Sequence, residues 1–206
     1  MIIKSPKPTG DLFVDECYQF EFEEYSDPRR WFSLPIVKDI PDLASTDKRK
    51  ALAIAESLMQ DYSDYSFLFY WIGKLKGELG FAGEPSFTLL DGLKKGRNKP
   101  VLCGGLAINA FEKSNLSEAV KWWIKSCAIQ LSCHLSTDSF SLLNLAYIAE
   151  GLHLPVCQKF LYQKAQALQS VKFDSIGASQ RYTLAKHQGS RSIKAAIKLL
   201  CSFYVE

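Results

Sequence analysis

The chain has 206 residues, of which 47% are hydrophobic and 23% charged, and its formal net charge is +3. This length suits one domain, or one large domain with an extension, and such a chain buries roughly 70% of its unfolded surface. The ordinary apolar fraction excludes a wholly disordered or fibrous protein.

The start of the chain does not resemble a signal peptide. Lys4, Pro6, Lys7 and Pro8 stand where such a peptide has its apolar run. The longest strongly apolar stretch, 67–72, is far shorter than the ~20 residues that span a bilayer. We therefore predict no membrane span and a cytoplasmic protein; the alternative is delivery into a host cell without an N-terminal signal peptide.

Charge is distributed unevenly along the chain. Residues 1–100 carry a net charge of −2 and residues 101–206 one of +5. Seven acids and no Lys or Arg lie within 11–27, whereas 175–205 contain Arg181, Lys186, Arg191, Lys194 and Lys198 but no acid. This pattern indicates two solvated faces, a surface for a charged partner, or mutual contact between the two ends.

The first half predicts an extension followed by a helix pair. Residues 1–46 are expected to be an N-terminal extension or cap, helical or extended, although alternation over 18–23 also fits a strand. Pro28, Pro35 and Pro41 are expected to break the chain before the next helix. Helices are predicted over 47–60 and 65–79, which form a divergent hairpin. Residues 77–105 hold seven of the twelve glycines, which predicts a linker or irregular connection around a short helix at 87–94.

The second half, residues 100–206, repeats itself with a lag of 39 residues. Leu-Ala recurs at Leu106-Ala107, Leu145-Ala146 and Leu184-Ala185. Ala119, Trp122, Trp123 and Ser126 follow i, i+3, i+4, i+7, and similar stripes recur in the later copies. Short breaks separate paired helices at 113–115, 151–155 and 189–190, and Asn115 or Ser117 is expected to cap the helix that follows the first break. We predict that Trp123 lies in the core and that Trp122 packs against a neighbouring helix.

Several positions in this half match a known repeat. A large–small pair at Leu106-Ala107 is followed by a small residue at Ala119, an aromatic residue at Trp123 and a small residue at Ser126. In these positions the segment resembles a tetratricopeptide repeat, and the 39-residue lag is nearer the Sel-one-like variant than the usual repeat of about 34 residues. The resemblance covers about 100–206. It implies an all-α, solenoid-like stack of three to four helical hairpins that binds proteins or peptides.

Catalytic signatures are absent from the sequence. The local Cys and His clusters are Cys127 with Cys133-His134, and His153 with Cys157; neither has the spacing of a zinc site or a base that activates the thiol. We predict no cofactor, no metal and no enzymatic activity, with buried cysteines as the ordinary reading. An enzyme with a non-local Cys/His site remains the alternative of a different class.

The resemblance predicts a concave groove lined by the first helix of each pair. Carrying the lag forward places on it Ile108, Tyr147 and Lys186, with Phe111, Glu112, Glu150 and Tyr182 nearby. Arg191, Lys194 and Lys198 form a basic face on the last helix, read either as a polar end cap or as a surface for acidic partners; dispersed cations without an aromatic platform argue against nucleic acid. We therefore expect an adaptor, chaperone or scaffold, or alternatively a secreted bacterial effector of the same architecture.

Overall fold

The computed structural model describes residues 7–18, 35–95, 99–133, 139–168 and 175–203. The all-α prediction is confirmed, because these residues form eleven helices and no strand. In chain order the helices are α1 Leu12–Cys17, α2 Pro35–Thr46, α3 Lys48–Asp61, α4 Ser66–Glu78, α5 Glu84–Lys95, α6 Lys99–Glu112, α7 Leu116–Cys133, α8 Phe140–Gly151, α9 Pro155–Leu168, α10 Ser175–Gln188 and α11 Arg191–Phe203. Within the described ranges, none of them has both the length and the apolarity that crossing a bilayer requires.

Two helices of the first half lie where the sequence predicted them. The segments 47–60 and 65–79 correspond to α3 and α4. Asp47 caps α3, because its Oδ1 accepts a 3.0 Å hydrogen bond from the backbone N–H of Lys50 and so satisfies a donor that the helix leaves unpaired. Helix α3 packs against both α2 and α4, and the three share one buried cluster.

One proline that was expected to break the chain lies inside a helix. Pro41 is an internal residue of α2, where the missing N–H and the ring cost roughly 3 kcal/mol. The helix continues because Ile40 and Ala44, only 1% and 8% exposed, are buried in the cluster with α3 and α4. Pro35 begins α2, a position that tolerates proline well.

The glycine-rich segment 77–105 is mostly helical. The short helix predicted at 87–94 is present as α5, but the linker or irregular connection expected around it is wrong, because α4 and α6 extend into the segment. It contains α5 and the first half of α6. Its glycines allow helices to approach closely: a Cβ on Gly92 would lie 2.7 Å from the Cβ of Phe69, closer than real side chains approach. The segment thus packs α5 onto α4 and α6.

All three predicted breaks of the second half separate two helices. They lie between α6 and α7, between α8 and α9, and between α10 and α11. Asn115 caps α7, since its Oδ1 accepts a 3.2 Å hydrogen bond from the N–H of Glu118. Pro155 is the first residue of α9, where its missing N–H costs no helical hydrogen bond.

The third pair packs differently from the first two. Helix α6 packs along α7 and α8 along α9, but α10 packs against α8, and α11 packs against α1, α7 and α9. Between their described residues, α10 and α11 make no extended contact with each other. The 39-residue lag therefore specifies where helices begin and end, while the packing of the last pair departs from it.

The largest buried cluster lies in the second half and includes part of the N-terminus. Trp123 is fully buried in it, as predicted, and Trp122 packs half-buried at its edge. Residues of α1 join the same cluster, so the N-terminal segment reaches α7 and α11. The uneven charge had three interpretations, one of which was contact between the acidic N-terminal stretch and the basic C-terminal stretch. That contact is present for residues 11–18, which pack against α11. The alternating residues 19–23 and Pro28 lie outside the described residues.

Candidate functional site

An open groove with a volume of about 500 Å³ runs between α4 and α6. Leu89 of α5 and Phe140 at the start of α8 complete it. The remaining lining residues are Phe67, Tyr70, Gly73, Lys74, Gly77 and Glu78 of α4 and Val101, Gly104, Gly105, Ile108, Asn109 and Glu112 of α6. Its volume and its mostly apolar lining are typical of ligand-binding clefts.

Two glycines bring Leu89 to the floor of the open groove. A Cβ on Gly73 would lie 3.0 Å from Leu89 Cγ, and one on Gly105 would lie 3.1 Å from Leu89 Cδ2. Because these contacts are already tight, side chains at the two positions would push α5 outward. Glycine within a helix costs roughly 0.5–1 kcal/mol relative to alanine, so the close approach of α5 must offset that cost.

Charged side chains stand at the rim of the open groove. Glu78 pairs with Lys48, whose Nζ lies 2.9 Å from its Oε2, and with Lys74 at 3.9 Å; Lys74 also lies over the Trp71 ring at 4.6 Å. Glu112 is exposed and belongs to none of the salt bridges between described residues. At the rim, Glu112 is therefore a carboxylate outside these ion pairs beside an apolar floor, where it can pair with a cationic group of a ligand.

The structure separates the residues predicted to share one groove. Ile108 and Glu112 line the open groove. Phe111 instead packs on Trp123, with ring centroids 5.9 Å apart, and lies under the Arg181 guanidinium at 4.8 Å. Phe111 thus contributes to the core rather than to a binding surface.

The part of the predicted groove on α8 and α10 is covered at Tyr147. Tyr147 is only 5% exposed because α10 lies directly on α8: a Cβ on Gly151 would be 2.6 Å from the carbonyl oxygen of Tyr182. Tyr182 is half-buried, and Glu150 and Lys186 are exposed, but none of these residues lines the open groove. Packing of α10 on α8 therefore covers the predicted concave surface at Tyr147, whereas binding roles of Tyr182, Glu150 and Lys186 stay predictions for a surface apart from the open groove.

The predicted basic face lies on the outer side of α11. Arg191 and Lys198 are exposed and Lys194 is half-buried. The opposite side of the helix is a buried stripe that includes Ile193 and Leu200, both 0% exposed. A role of this face in binding acidic partners stays a prediction.

Two buried cysteines, Cys17 and Cys201, lie in environments that keep their thiols protonated. Burial raises the pKa of Cys17 to about 12. Burial also raises the pKa of Cys201, and the neighbouring Cys157 adds to this effect. A protonated thiol is a poor nucleophile. No three His, Cys, Asp or Glu residues come together as metal ligands among the residues described, and His134 lies outside that part of the chain.

Sequence reasoning missed the α4 wall of the open groove. Gly73 and Gly77 are four residues apart on an aromatic helix, which places both on one face. The adjacent Gly104 and Gly105 supply the facing wall. The sequence analysis interpreted these glycines as chain breaks. Interpreted instead as small-residue faces on two helices, they could have indicated the groove.

Comparison of this chain with protein-family models, with curated proteins and with solved structures finds no match. Its function is therefore inferred from the geometry of the open groove and from the sequence.

Proposed function

We propose that this chain is a protein-interaction module, an adaptor, chaperone or scaffold, that binds a segment of a partner protein in the open groove. The observation that carries the proposal is a mostly apolar cleft of about 500 Å³ that the described residues leave unfilled. A tetratricopeptide-like or Sel-one-like origin of α6–α11 belongs to the same proposal and is supported by the helix pairs at the predicted breaks. We further propose that the module acts in a cytoplasm, its own or that of a host cell.

The length of the open groove favours a peptide over a compact small molecule. Its lining runs from Phe67 to Glu78 on α4 and from Val101 to Glu112 on α6. At 1.5 Å per helical residue each wall is about 16 Å long, which matches about three turns of a bound helix. An amphipathic helix could place apolar side chains over Leu89 and a Lys or Arg beside Glu112. Each fully buried apolar anchor would contribute about 1.5–3 kcal/mol.

Selection of random peptides displayed on phage tests this proposal without a known partner. Peptides enriched on the wild-type protein should carry bulky apolar residues at helical spacing together with a basic residue. Their affinity, measured by isothermal titration calorimetry, should fall at least about tenfold for Ile108→Glu, which places a charge in the apolar wall.

Val156→Glu serves as the matched control, because Val156 is 79% exposed and lies outside the groove lining. Binding to this variant should equal that of the wild type. Enriched peptides that bind Ile108→Glu as tightly as the wild type would refute the open groove as their site.

A further inference from the structure

A second groove, between α7 and α11, is filled by the chain's own N-terminal segment. We call it the α7–α11 groove and its occupant, residues 9–18, the docked segment. Helix α1 packs against α7 and α11, although α7 begins 99 residues, and α11 174 residues, after α1 ends. A helix of six residues is unstable alone in water, so its helical form depends on the groove.

The docked segment buries one face and leaves the other in solvent. Val14, Cys17 and Tyr18 are 1%, 0% and 3% exposed, whereas Leu12 is 87% exposed. The three buried residues fall at i, i+3 and i+4, the spacing with which an amphipathic helix lies in a groove. They join the cluster formed by α6–α11. The packing therefore has the form of a helical peptide bound to a protein surface.

Polar contacts fix both ends of the docked segment. At its start, Ser192 Oγ donates a 2.6 Å hydrogen bond to Asp11 Oδ2. This bond, together with one from the N–H of Val14, holds the pKa of Asp11 below its ordinary value. At its end, Tyr18 OH donates a 2.8 Å hydrogen bond to the carbonyl oxygen of Ala196. Paired contacts of this kind set the register of the segment in the groove.

Charge is complementary across the contact. Lys121 Nζ lies 2.9 Å from Glu16 Oε1 and 2.6 Å from Glu118 Oε2 of its own helix, and the positive charge of Lys125 also interacts with Glu16. The docked segment contains three acids, Asp11, Asp15 and Glu16, and no base. Opposite charges on the two sides favour an acidic segment over a basic one.

From these contacts we infer that the α7–α11 groove is a peptide-docking site whose partner is a short acidic amphipathic helix with the chemistry of residues 9–18. The chain's own segment occupies the site, and a partner segment of another protein binds by displacing it. This inference is independent of the open groove.

A labelled synthetic peptide of residues 7–18, added to the full-length protein, tests the inference by fluorescence anisotropy. Val14→Asp places a charge in the buried face and should release the chain's own segment. A tethered competitor acts at an effective concentration in the millimolar range, so the peptide should bind this variant on the order of tenfold more tightly than the wild type. Leu12→Asp is the matched control and should bind like the wild type, because Leu12 is exposed.

A second variant tests the inference in case Val14→Asp does not fold. Asp11→Ala combined with Tyr18→Phe removes the hydrogen bonds with Ser192 and Ala196 and the two that Asp11 accepts from the N–H groups of Phe13 and Val14, but keeps the apolar face of the docked segment. This variant should bind the peptide about threefold more tightly than the wild type. Adding Lys121→Glu to Val14→Asp, whose own segment is released, should weaken peptide binding at least about threefold, because the peptide then loses its ion pair with Lys121. Failure of the peptide to bind any variant that is folded by circular dichroism would overturn the inference.

The oligomeric state separates a partner segment from a second copy of the chain. The wild-type protein should remain monomeric over the concentrations used. A concentration-dependent dimer that Val14→Asp abolishes would show that a second copy supplies the segment, and would overturn its assignment to another protein.

Discussion

The open groove and the α7–α11 groove differ in what covers their apolar surfaces. The first is formed by α4–α6 and is shaped by glycines that bring Leu89 to its floor. The second is covered by residues 9–18, which bury apolar side chains in it and form hydrogen bonds with α11. The difference teaches that this chain already carries a segment that fits one groove, whereas none of the described residues fills the other.

The largest expected effect is a difference in stability between two Tyr→Ala variants, one in each groove. Tyr18 is 3% exposed and hydrogen-bonded to Ala196, so Tyr18→Ala should lower the free energy of unfolding by about 3 kcal/mol. Tyr70 is half-buried in the wall of the open groove, and Tyr70→Ala should cost about 1 kcal/mol. Urea denaturation of both variants measures the difference. Equal losses would mean that the docked segment contributes no more to stability than an open wall does.

An intermediate loss of stability is expected for Gly92→Ala, where α5 packs on α4. A methyl group at Gly92 would lie 2.7 Å from Phe69 Cβ, so Gly92→Ala should destabilise the protein by about 1–3 kcal/mol. The control is Gly77→Ala, whose added Cβ would have its nearest neighbour at 3.6 Å, an ordinary contact. Because alanine favours helix over glycine, Gly77→Ala should be neutral or raise stability by up to about 1 kcal/mol. Thermal unfolding distinguishes them; a stable Gly92→Ala would contradict the tight packing of α5 on α4.

The smallest expected effect is a rise in Tm when Lys125, a lysine of α7 near the docked segment, is replaced. Burial lowers the pKa of Lys125 below 10.5, so its charged form is less favourable in the folded state than in the unfolded state. This penalty is complete below the folded pKa and disappears as the pH rises towards 10.5. Lys125→Met should therefore raise the Tm at pH 7 by roughly 2 °C, and the gain should shrink at high pH.

Lys198→Met provides the control for that measurement, because Lys198 is exposed on α11. Its Tm at pH 7 should match that of the wild type. A fall in the Tm of Lys125→Met would show that the contacts of the Lys125 ammonium outweigh its burial.

Local sequence signals predicted helices better than they predicted surfaces. The 39-residue lag, Asp47 and Asn115 located helix ends, because capping and apolar spacing act within a few residues. Pro41 and the glycines of 77–105 were misread as breaks, because burial of Ile40 and the contact between Gly92 and Phe69 depend on distant helices.

Local sequence signals predicted the candidate site even less well than the helices. Ile108 and Glu112 were identified from the repeat, but the α4 wall of the open groove was not. Tyr147 was expected on a surface because the repeat register placed it there, whereas α10 lies on α8 and buries it. Which helix covers which face is decided by packing between segments far apart in sequence, and a single chain's periodicity does not contain that information.

The hydrogen bond from Tyr18 to Ala196 joins residues 178 positions apart, and this separation has a consequence for biosynthesis. Ribosomes add about 5–20 residues per second, so residues 9–18 are made roughly ten seconds or more before α11 can receive them. During that interval Val14 and Tyr18 are exposed to chaperones and to other nascent chains. Closure of this part of the protein is therefore a late event that follows synthesis of its last helix.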